Sequence, residues 1–334
     1  MTQVTPVVVD EGSAQIKVCW YDADKQCIRQ HKILSMVSRN EMDGVDGLGN
    51  FHPSSYRIGG RELYLNPKMQ YPDSTKSADY QVSLNNRALV HEALRQAGFG
   101  GQTVQVYCTL PVTQFFTGNR LNEKLISEKK KNLMGEIDNM GGAELATISQ
   151  CRVSPESIPA WYHLLIDEKN SIKGDRLAAN AVLIVDLGGT TIDITLIDGE
   201  GNPKKTFSMD LGVFDVTERL RNLIIQQGKI NSVPQIHMDT LLRTGQYRNT
   251  DVSALINQAS LPVRDMILSK MKEFANDPWA LDHIVYVGGG AALMGKELAS
   301  DYGNLEATEI PENPDMAVAM GLIKSELLEQ AEPA

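Results

Sequence analysis

One short pattern occurs twice in this chain and constrains its fold more than any other feature. Residues 6–18 read PVVVDEGSAQIKV and residues 182–194 read VLIVDLGGTTIDI, so that Asp10 matches Asp186 without a gap. In each copy an apolar run ends on a carboxylate, a glycine turn follows, and apolar residues then alternate, which predicts strand, turn and strand. A repeat at about half of the chain length predicts two similarly folded domains.

Turns of this composition can hold a polyphosphate. Glycine lets backbone N–H groups approach phosphate oxygens closely, and the hydroxyls of Ser13 and Thr190 would add donors. Asp10 and Asp186 alone would repel a phosphate, but they are useful around a hydrated Mg²⁺, since this ion takes few protein ligands. Lys17 would supply positive charge for the phosphates. The alternative for either copy is a tight hairpin without a ligand.

A third glycine site follows near the C-terminus. Residues 284–294 read IVYVGGGAALM, in which a short apolar strand enters three glycines and a helix is predicted next. Such a junction lets a base and ribose lie against the backbone and exposes the N–H groups of a helix N-terminus. The alternative is a glycine-rich turn of any α/β domain. The stretch holds no GxGxxG and the chain no GxxxxGK[ST], which disfavours the Rossmann and P-loop folds.

Glu156 is a further candidate for chemistry. It lies in the segment VSPESIPAWYHLLIDE, where Pro159 suits the first turn of a helix and Ser157 is predicted to cap it. Glu156 would then stand in the loop just before the helix, where it could act as a general base or orient an attacking water. The alternative is an ordinary surface carboxylate.

The net charge of −10 disfavours direct binding to DNA, because phosphate contacts require clustered Lys and Arg. The basic cluster Lys129–Lys131 lies in a predicted amphipathic helix, and we expect it to be a solvated helix face. An indirect link to DNA through a basic partner stays open.

We expect neither an export signal nor a membrane span in this chain. No apolar run approaches the roughly 20 residues that a membrane span requires, and no basic leader precedes the short apolar run near Met1. The four cysteines form no CxxC pair and are predicted to be reduced thiols, and the six histidines show no HExxH spacing. We expect a cytoplasmic protein of two domains, since 334 residues exceed the usual size of one core.

These pieces, in this order, resemble the actin, Hsp70 and sugar-kinase superfamily of nucleotide-binding proteins. The chain is more closely similar to the plasmid-segregation actin-like ATPases of the ParM/StbA type. The resemblance covers essentially the whole chain, and the runs that carry it are DEGSAQIK, CTLPVTQFF, PESIPA, DLGGTTIDI, SMDLGVFDVTERL and VGGGA.

The resemblance implies an α/β fold, the actin-like ATPase fold, with two similar domains around a nucleotide cleft. Each domain would contain a mixed five-stranded sheet flanked by helices. Domain I would comprise residues 1–178, with a small variable lobe at about 38–82 and a C-terminal helix, residues 313–334, that packs back on it. Domain II would comprise residues 179–312. The lobe departs most from the family pattern and is expected to touch the next subunit of a filament.

The resemblance also implies roles for individual residues. Asp10 and Asp186 would hold Mg²⁺ through water, and Asp186 would also lie near the attacking water that Glu156 positions or activates. The residues expected at the β-phosphate are Gly12, Ser13, Ala14, Gln15 and Lys17. Those expected at the γ-phosphate are Gly188, Gly189 and Thr190, and those expected at the adenosine are Gly288, Gly289, Gly290 and Ala291. Asp193, which aligns with Lys17 in the repeat, is expected to be structural.

The implied function is an ATPase that polymerises with ATP or GTP and Mg²⁺ and segregates low-copy plasmid DNA by pushing or positioning it. Its partners would be further copies of the chain and a small DNA-binding adaptor on a centromere-like plasmid site, without direct binding to nucleic acid or membrane. One alternative is a small-molecule, sugar-type kinase, which needs an extra base beside an acceptor hydroxyl. Another is an ATP-gated cytoskeletal adaptor, which usually carries an amphipathic tail, whereas SELLEQAEPA is short and acidic.

Overall fold

The computed structural model describes residues 4–46, 48–69, 72–77, 79–118, 120–227, 235–247 and 250–331. The chain divides into two compact units. The first unit runs to Glu156 and includes the segment from Ser325 onward, and the second unit is Ser157–Lys324. The domain bounds implied by the resemblance, 1–178 with 313–334 and 179–312, stay a prediction, and residues 332–334 lie outside the described ranges.

The first unit is built on a mixed sheet. Its strands are β1 Thr5–Glu11, β2 Gln15–Asp22, β3 Cys27–Leu34, β4 Ser55–Ile58, β5 Arg61–Tyr64, β6 Thr103–Leu110, β7 Phe116–Thr117, β8 Arg120–Leu121, β9 Asp138–Asn139 and β10 Thr147–Pro155. Five of them form a sheet in the order β10–β6–β1–β2–β3, in which β1, β6 and β10 are parallel and β2 and β3 pair antiparallel. Val7, Val8 and Val9 of β1 are fully buried, as expected for a central strand covered on both faces.

The helices of the first unit are α1 Leu84–Leu94, α2 Val112–Phe115 and α3 Glu123–Leu133. Side-chain caps fix the starts of the two long ones: Ser83 accepts a hydrogen bond from the N–H of Asn86, and Asn122 accepts one from the N–H of Leu125. A small sheet in the order β5–β4–β9 contributes Tyr56 to the same core as α1 and the main sheet. The predicted lobe thus contains β4 and β5, while its residues 47, 70, 71 and 78 lie outside the described ranges.

The second unit repeats the sheet topology of the first. Its strands are β11 Val182–Leu187, β12 Ile192–Ile197, β13 Pro203–Met209, β14 Gln246–Tyr247, β15 Thr250–Asp251, β16 His283–Val287 and β17 Thr308–Glu309. The five-stranded sheet has the order β13–β12–β11–β16–β17, in which β11, β16 and β17 are parallel and β12 and β13 pair antiparallel. Strands β11, β12 and β13 therefore correspond to β1, β2 and β3, and β16 and β17 correspond to β6 and β10. This confirms the prediction of two similar α/β folds with mixed five-stranded sheets.

Helices cover the sheet of the second unit. They are α4 Ile158–Leu165, α5 Gly174–Leu177, α6 Val213–Gln226, α7 Gln235–Thr244, α8 Ser253–Phe274 and α9 Ala291–Tyr302, and α10 Ala317–Ala331 follows them. Buried side chains of α6, α8 and α9, such as Leu220, Ile267 and Leu298, form the core with β11 and β12. In the ranges given above, none of the helices combines the length and the apolar composition that a bilayer span needs.

Candidate functional site

In the first unit, the candidate carboxylates lie where the parallel strands end. Asp10 is close to the end of β1, and Glu156 directly follows β10. Strand β6 lies between them: Thr109 Oγ1 donates to Asp10 Oδ1 over 3.1 Å, and the N–H of Glu156 donates to the carbonyl of Leu110 over 2.7 Å. Ligands of open α/β sheets bind at the carboxyl ends of the strands. Asp10 and Glu156 therefore occupy the edge at which a ligand is expected.

Asp10 forms an ion pair across the first hairpin. It faces Lys17 in the register of β1 and β2, and the Lys17 Nζ lies 2.8 Å from Asp10 Oδ2. The carboxylate of Asp10 is nearly inaccessible, so the ammonium and the hydroxyl of Thr109 replace water around it. Lys17 is thus attached to the base of the turn, and its expected contact with a phosphate stays a prediction.

The turn between β1 and β2, residues 12–14, is called here the N-terminal turn. A Cβ atom at Gly12 would lie 2.9 Å from the carbonyl oxygen of Gln15, which is closer than van der Waals contact. Glycine is therefore required by the close approach of the backbone across the turn. Ser13, Ala14 and Gln15 are partly exposed at the same end of the hairpin.

A buried ion pair lies beneath the N-terminal turn. Lys129 of α3 and Glu11 have fully buried side chains, and the Lys129 Nζ lies 3.0 Å from Glu11 Oε1. The other oxygen, Oε2, accepts the N–H of Thr109 over 3.0 Å. Burial raises the pKa of Glu11, and the charge of Lys129 opposes this rise. The prediction of a solvated face was wrong for Lys129, whereas Lys131 is exposed.

The central hairpin has the same register as the first. Asp186 of β11 faces Asp193 of β12, just as Asp10 faces Lys17. Asp193 is buried and accepts a hydrogen bond from the hydroxyl of Ser208, and burial raises its pKa to about 6. This environment fits the structural role expected of Asp193, whereas Asp186 is only half-buried.

The turn between β11 and β12, residues 188–191, is called here the central turn. The N–H of Gly188 donates to the carbonyl of Thr191 over 3.0 Å, and a Cβ at Gly188 would lie 2.6 Å from that carbonyl oxygen. Glycine is required here by the same close approach as in the N-terminal turn. Gly189 and Thr190 are partly exposed at the tip.

The third glycine segment lies against Asp186. Strand β16, three glycines and helix α9 follow one another, which confirms the predicted strand–glycine–helix order. Gly288 has φ +82°, and a Cβ there would overlap Asp186 Oδ1 and lie 2.7 Å from the carbonyl oxygen of Leu187. The N–H of Gly290 donates to that same carbonyl over 2.8 Å. Asp186 and the glycines 288–290 are therefore contiguous in the second unit.

The middle glycine of this segment is exposed, unlike its neighbours. Gly289 is exposed, whereas Gly288, Gly290 and Ala291, the first residue of α9, are buried. A Cβ at Gly289 would meet no atom within 4 Å, so the backbone there is accessible on that side. A flat ligand could approach the backbone at this point and at the N-terminus of α9.

The helix that follows Glu156 begins differently from the sequence prediction. Ser157 occupies the N-cap position of α4 and Pro159 lies in its first turn, as predicted. The Ser157 hydroxyl does not cap the helix, however; it is bonded to Thr195 Oγ1 of β12 over 2.9 Å. Ser157 also has φ +65°, an uncommon conformation for a residue with a side chain. The predicted side-chain cap was therefore wrong.

Each candidate carboxylate is an oxygen ligand of the kind that a magnesium ion takes. Among the residues given above as described, His, Cys, Asp and Glu form no group of three or more that could enclose a metal. Asp10 in the first unit and Asp186 in the second are each a carboxylate beside a glycine turn. Mg²⁺ prefers oxygen ligands, takes one or two carboxylates and completes its shell with water and phosphate.

Two protein-family models match successive parts of the chain. Residues 5–167 match the model described as plasmid segregation protein ParM, N-terminal, and residues 184–300 match the one described as archaeal actin homologue MreB-like, C-terminal. None of the curated proteins matches the chain.

Solved structures of similar fold span nearly the whole chain. A 15-stranded ParM filament from Clostridium botulinum is 15% identical with a TM-score of 0.72, and the match covers 98% of this chain and 100% of that one. The archaeal actin homologue Ta0583 in complex with ADP is 15% identical with a TM-score of 0.73, covering 97% and 99%. The pCBH ParM non-polymerisable quadruple mutant is 16% identical with a TM-score of 0.70, covering 98% and 100%.

These likenesses confirm the predicted actin-like fold, because the two family models and the structural matches agree with the duplicated sheet topology. The chain thus has the actin-like fold, with residues 5–167 similar to the ParM N-terminal family and residues 184–300 similar to the MreB-like C-terminal family.

Proposed function

We propose that the chain is an ATPase that binds Mg²⁺ and ATP, assembles into filaments when it does so, and hydrolyses the nucleotide afterwards. One observation carries the proposal: the N-terminal and central turns are equivalent in register, and each follows a carboxylate, Asp10 or Asp186, at the end of a central strand. A pair of such turns provides backbone donors and two carboxylates for one triphosphate. The ADP complex of a structurally similar protein supports a nucleotide as the ligand.

The backbone and one cation would bind the phosphates. N–H groups of the N-terminal turn would bind the β-phosphate together with Lys17. Those of Gly189 and Thr190 would bind the γ-phosphate, and Gly188 would line it without donating, because its N–H is bonded to Thr191. The exposed backbone at Gly289 and the start of α9 would receive the adenosine. GTP would bind in the same manner, so the choice of base is a question for experiment.

Asp10 and Asp186 would hold Mg²⁺ through water, and the bound ion would neutralise phosphate charge. Asp186 is positioned for this because Gly288 leaves space for its carboxylate. Asp10 is positioned by Lys17 and Thr109.

Hydrolysis requires little covalent chemistry from the protein. The protein mainly aligns a water molecule and stabilises the developing charge. Glu156 would accept a hydrogen bond from the attacking water and orient it or take its proton. Its backbone is fixed by the bond to Leu110 and by the strained residue that follows, Ser157. Asp186 would contribute a second acceptor near the same water.

Nucleotide state would control assembly. ATP can favour an assembly-competent conformation only through contacts that ADP does not make, and the γ-phosphate supplies them. Copies joined head to tail without closure form an open helical filament. In the cytoplasm such a filament would segregate plasmid DNA through a small basic adaptor, which suits the net charge of −10.

Sedimentation and light scattering test this function. At micromolar protein, Mg²⁺ and ATP should move the chain into the pellet, whereas ADP or ATP with excess chelator should not. Phosphate release should follow the rise in scattering. Equal sedimentation with and without nucleotide would contradict ATP-controlled assembly, and phosphate transfer to a sugar from a mixed panel would point to a kinase instead.

A further inference from the structure

The carbonyl oxygens of the N-terminal turn are held by side chains from elsewhere in the first unit. Gln81 Nε2 donates to the carbonyl of Glu11 over 3.3 Å, Ser35 Oγ to that of Gly12 over 2.7 Å, and Thr75 Oγ1 to that of Ser13 over 2.7 Å. The next carbonyl, of Ala14, accepts the N–H of Ser35 over 2.9 Å. Four successive carbonyls are thus hydrogen-bonded.

The three donor side chains are buried and come from different segments. Ser35 follows β3, Thr75 lies between β5 and α1, and Gln81 lies in a short 3₁₀ helix, Tyr80–Val82, just before α1. None of them belongs to the strand–turn–strand pattern of the sequence. A buried hydroxyl or amide is costly unless it is bonded, so these donors stay with the carbonyls that they reach.

The orientation of the Gln81 amide is fixed as well. Lys129 Nζ donates to Gln81 Oε1, and Lys129 also pairs with Glu11. Since an ammonium can only donate, the amide oxygen faces Lys129 and the amide nitrogen faces the turn.

In the central turn, the carbonyls that correspond to those of Gly12 and Ser13 also accept hydrogen bonds. There the carbonyls of Gly188 and Gly189 accept the N–H groups of Val213, over 3.0 Å, and Phe214, over 2.9 Å, at the start of α6. In the repeat, Gly188 matches Gly12 and Gly189 matches Ser13. The same two carbonyls are therefore bonded in both units, by a helix N-terminus in one and by two hydroxyls in the other.

A bonded carbonyl fixes the direction of the next N–H group. A planar trans peptide directs its C=O and N–H to opposite sides, so holding the carbonyls of residues 11–13 sets the N–H groups of residues 12–14. These N–H groups point away from the donor side chains. A ligand that requires several N–H groups at once gains affinity when they are oriented before it binds.

We propose that Ser35, Thr75 and Gln81 are positioning residues for nucleotide binding. They do not touch the phosphates; they hold the N-terminal turn so that its N–H groups are oriented for them. This role rests on the proposed function, since it presupposes a phosphate ligand at the turn.

Thr75 offers the sharpest test, because valine keeps its shape and removes its donor, whereas serine keeps the donor. The readouts are the Kd for a fluorescent ATP analogue with Mg²⁺ and the unfolding temperature without nucleotide. Thr75→Val should raise Kd roughly three- to tenfold, the loss expected for one hydrogen bond, and Thr75→Ser should stay within about twofold of the wild type. Thr308→Val is the matched control, since Thr308 Oγ1 also donates to a carbonyl, that of Asn304, at the sheet edge of the second unit.

Ser35→Ala gives a second, independent test if Thr75→Val does not fold, with Ser260→Ala as its control, because the buried Ser260 Oγ donates to Asn257 within α8. An unchanged Kd in the folded Thr75→Val and Ser35→Ala variants, even with a lowered unfolding temperature, would overturn the positioning role and leave the proposed function standing. A wild-type chain that binds no nucleotide would overturn the proposed function and this inference together.

Discussion

Lys129 and Glu11 form a fully buried ion pair directly beneath the N-terminal turn, with 3.0 Å between Nζ and Oε1. The pair connects helix α3 to the last residue of β1. Removing one member leaves the other charged and unpaired in the interior, which costs about 3–5 kcal/mol in comparable cases.

Lys129→Met should therefore lower the free energy of unfolding by about that amount, 3–5 kcal/mol, in urea denaturation. Lys131→Met, on the exposed side of the same helix, should change it by less than about 0.5 kcal/mol. The double variant Glu11→Gln, Lys129→Met should recover part of the loss, because it leaves no unpaired charge. Equal effects of Lys129→Met and Lys131→Met would contradict the structural importance of the pair.

The stability of the second unit should depend on the protonation of Asp193. Burial raises the pKa of Asp193 to about 6 from its ordinary value of 3.8, so the folded state binds this proton more tightly than the unfolded state. Its contribution is fully present below about pH 4 and is lost as the pH rises through about 6. Between pH 5 and pH 7.5, the wild type should lose about 1 kcal/mol relative to Asp193→Asn in urea unfolding.

Asp301→Asn, at an exposed position, is the control for this pH dependence and should show the wild-type profile. Parallel curves for the wild type and Asp193→Asn would show that Asp193 does not titrate in this range.

Gly288→Ala should damage the site as well as lower the stability of the second unit. The new Cβ would overlap Asp186 Oδ1 at a residue with φ +82°, so the carboxylate must move. Gly303→Ala matches the backbone strain, with φ +95° in the same unit, but its Cβ would come no closer than 3.8 Å to another group. Gly303→Ala should lose about 1–2 kcal/mol of stability from the backbone strain, and Gly288→Ala should lose more because its Cβ also meets the Leu187 backbone. Only Gly288→Ala should also lose most of its ATP turnover. An equal loss of ATP turnover in Gly288→Ala and Gly303→Ala would show that Gly288 is not part of the site.

Glu156→Gln and Asp186→Ala should separate assembly from hydrolysis. Loss of a general base or water-orienting group typically slows the chemical step by about 10²–10⁴-fold, while sedimentation should persist at an ATP concentration that saturates each variant. Glu168→Gln, an exposed carboxylate a short distance along the chain, should release phosphate at the wild-type rate. Normal phosphate release from Glu156→Gln would remove Glu156 from the mechanism.

Local patterns predicted the two hairpins, because a strand ending in Asp and a glycine turn is encoded within a dozen residues. The match of Asp10 with Asp186 also predicted the equal register of the two copies and the duplicated fold. The third glycine segment followed from the same kind of signal, an apolar run that enters glycines.

Long-range contacts could not be predicted in this way. The hydroxyl of Ser157 bonds to Thr195 on another strand, and no spacing around Ser157 indicates that partner. Ser35 and Thr75, whose hydroxyls donate to carbonyls of the N-terminal turn, are distant from it in sequence. Only the folding of the chain brings them to the turn. Lys129 did carry a signal: it stands four residues from Leu125 and four from Leu133, on the apolar stripe of α3, where a lysine must find a buried partner.

Titration calorimetry with a non-hydrolysable ATP analogue and Mg²⁺ tests the central claim most directly, namely that the N-terminal and central turns bind the same nucleotide. We expect one nucleotide per chain, and we expect Asp10→Asn and Asp186→Asn each to weaken binding about tenfold or more on their own. Asp282→Asn, which alters a carboxylate that accepts two backbone N–H groups in the second unit, should bind as the wild type does. Wild-type affinity in a folded Asp10→Asn or Asp186→Asn variant would contradict a shared site.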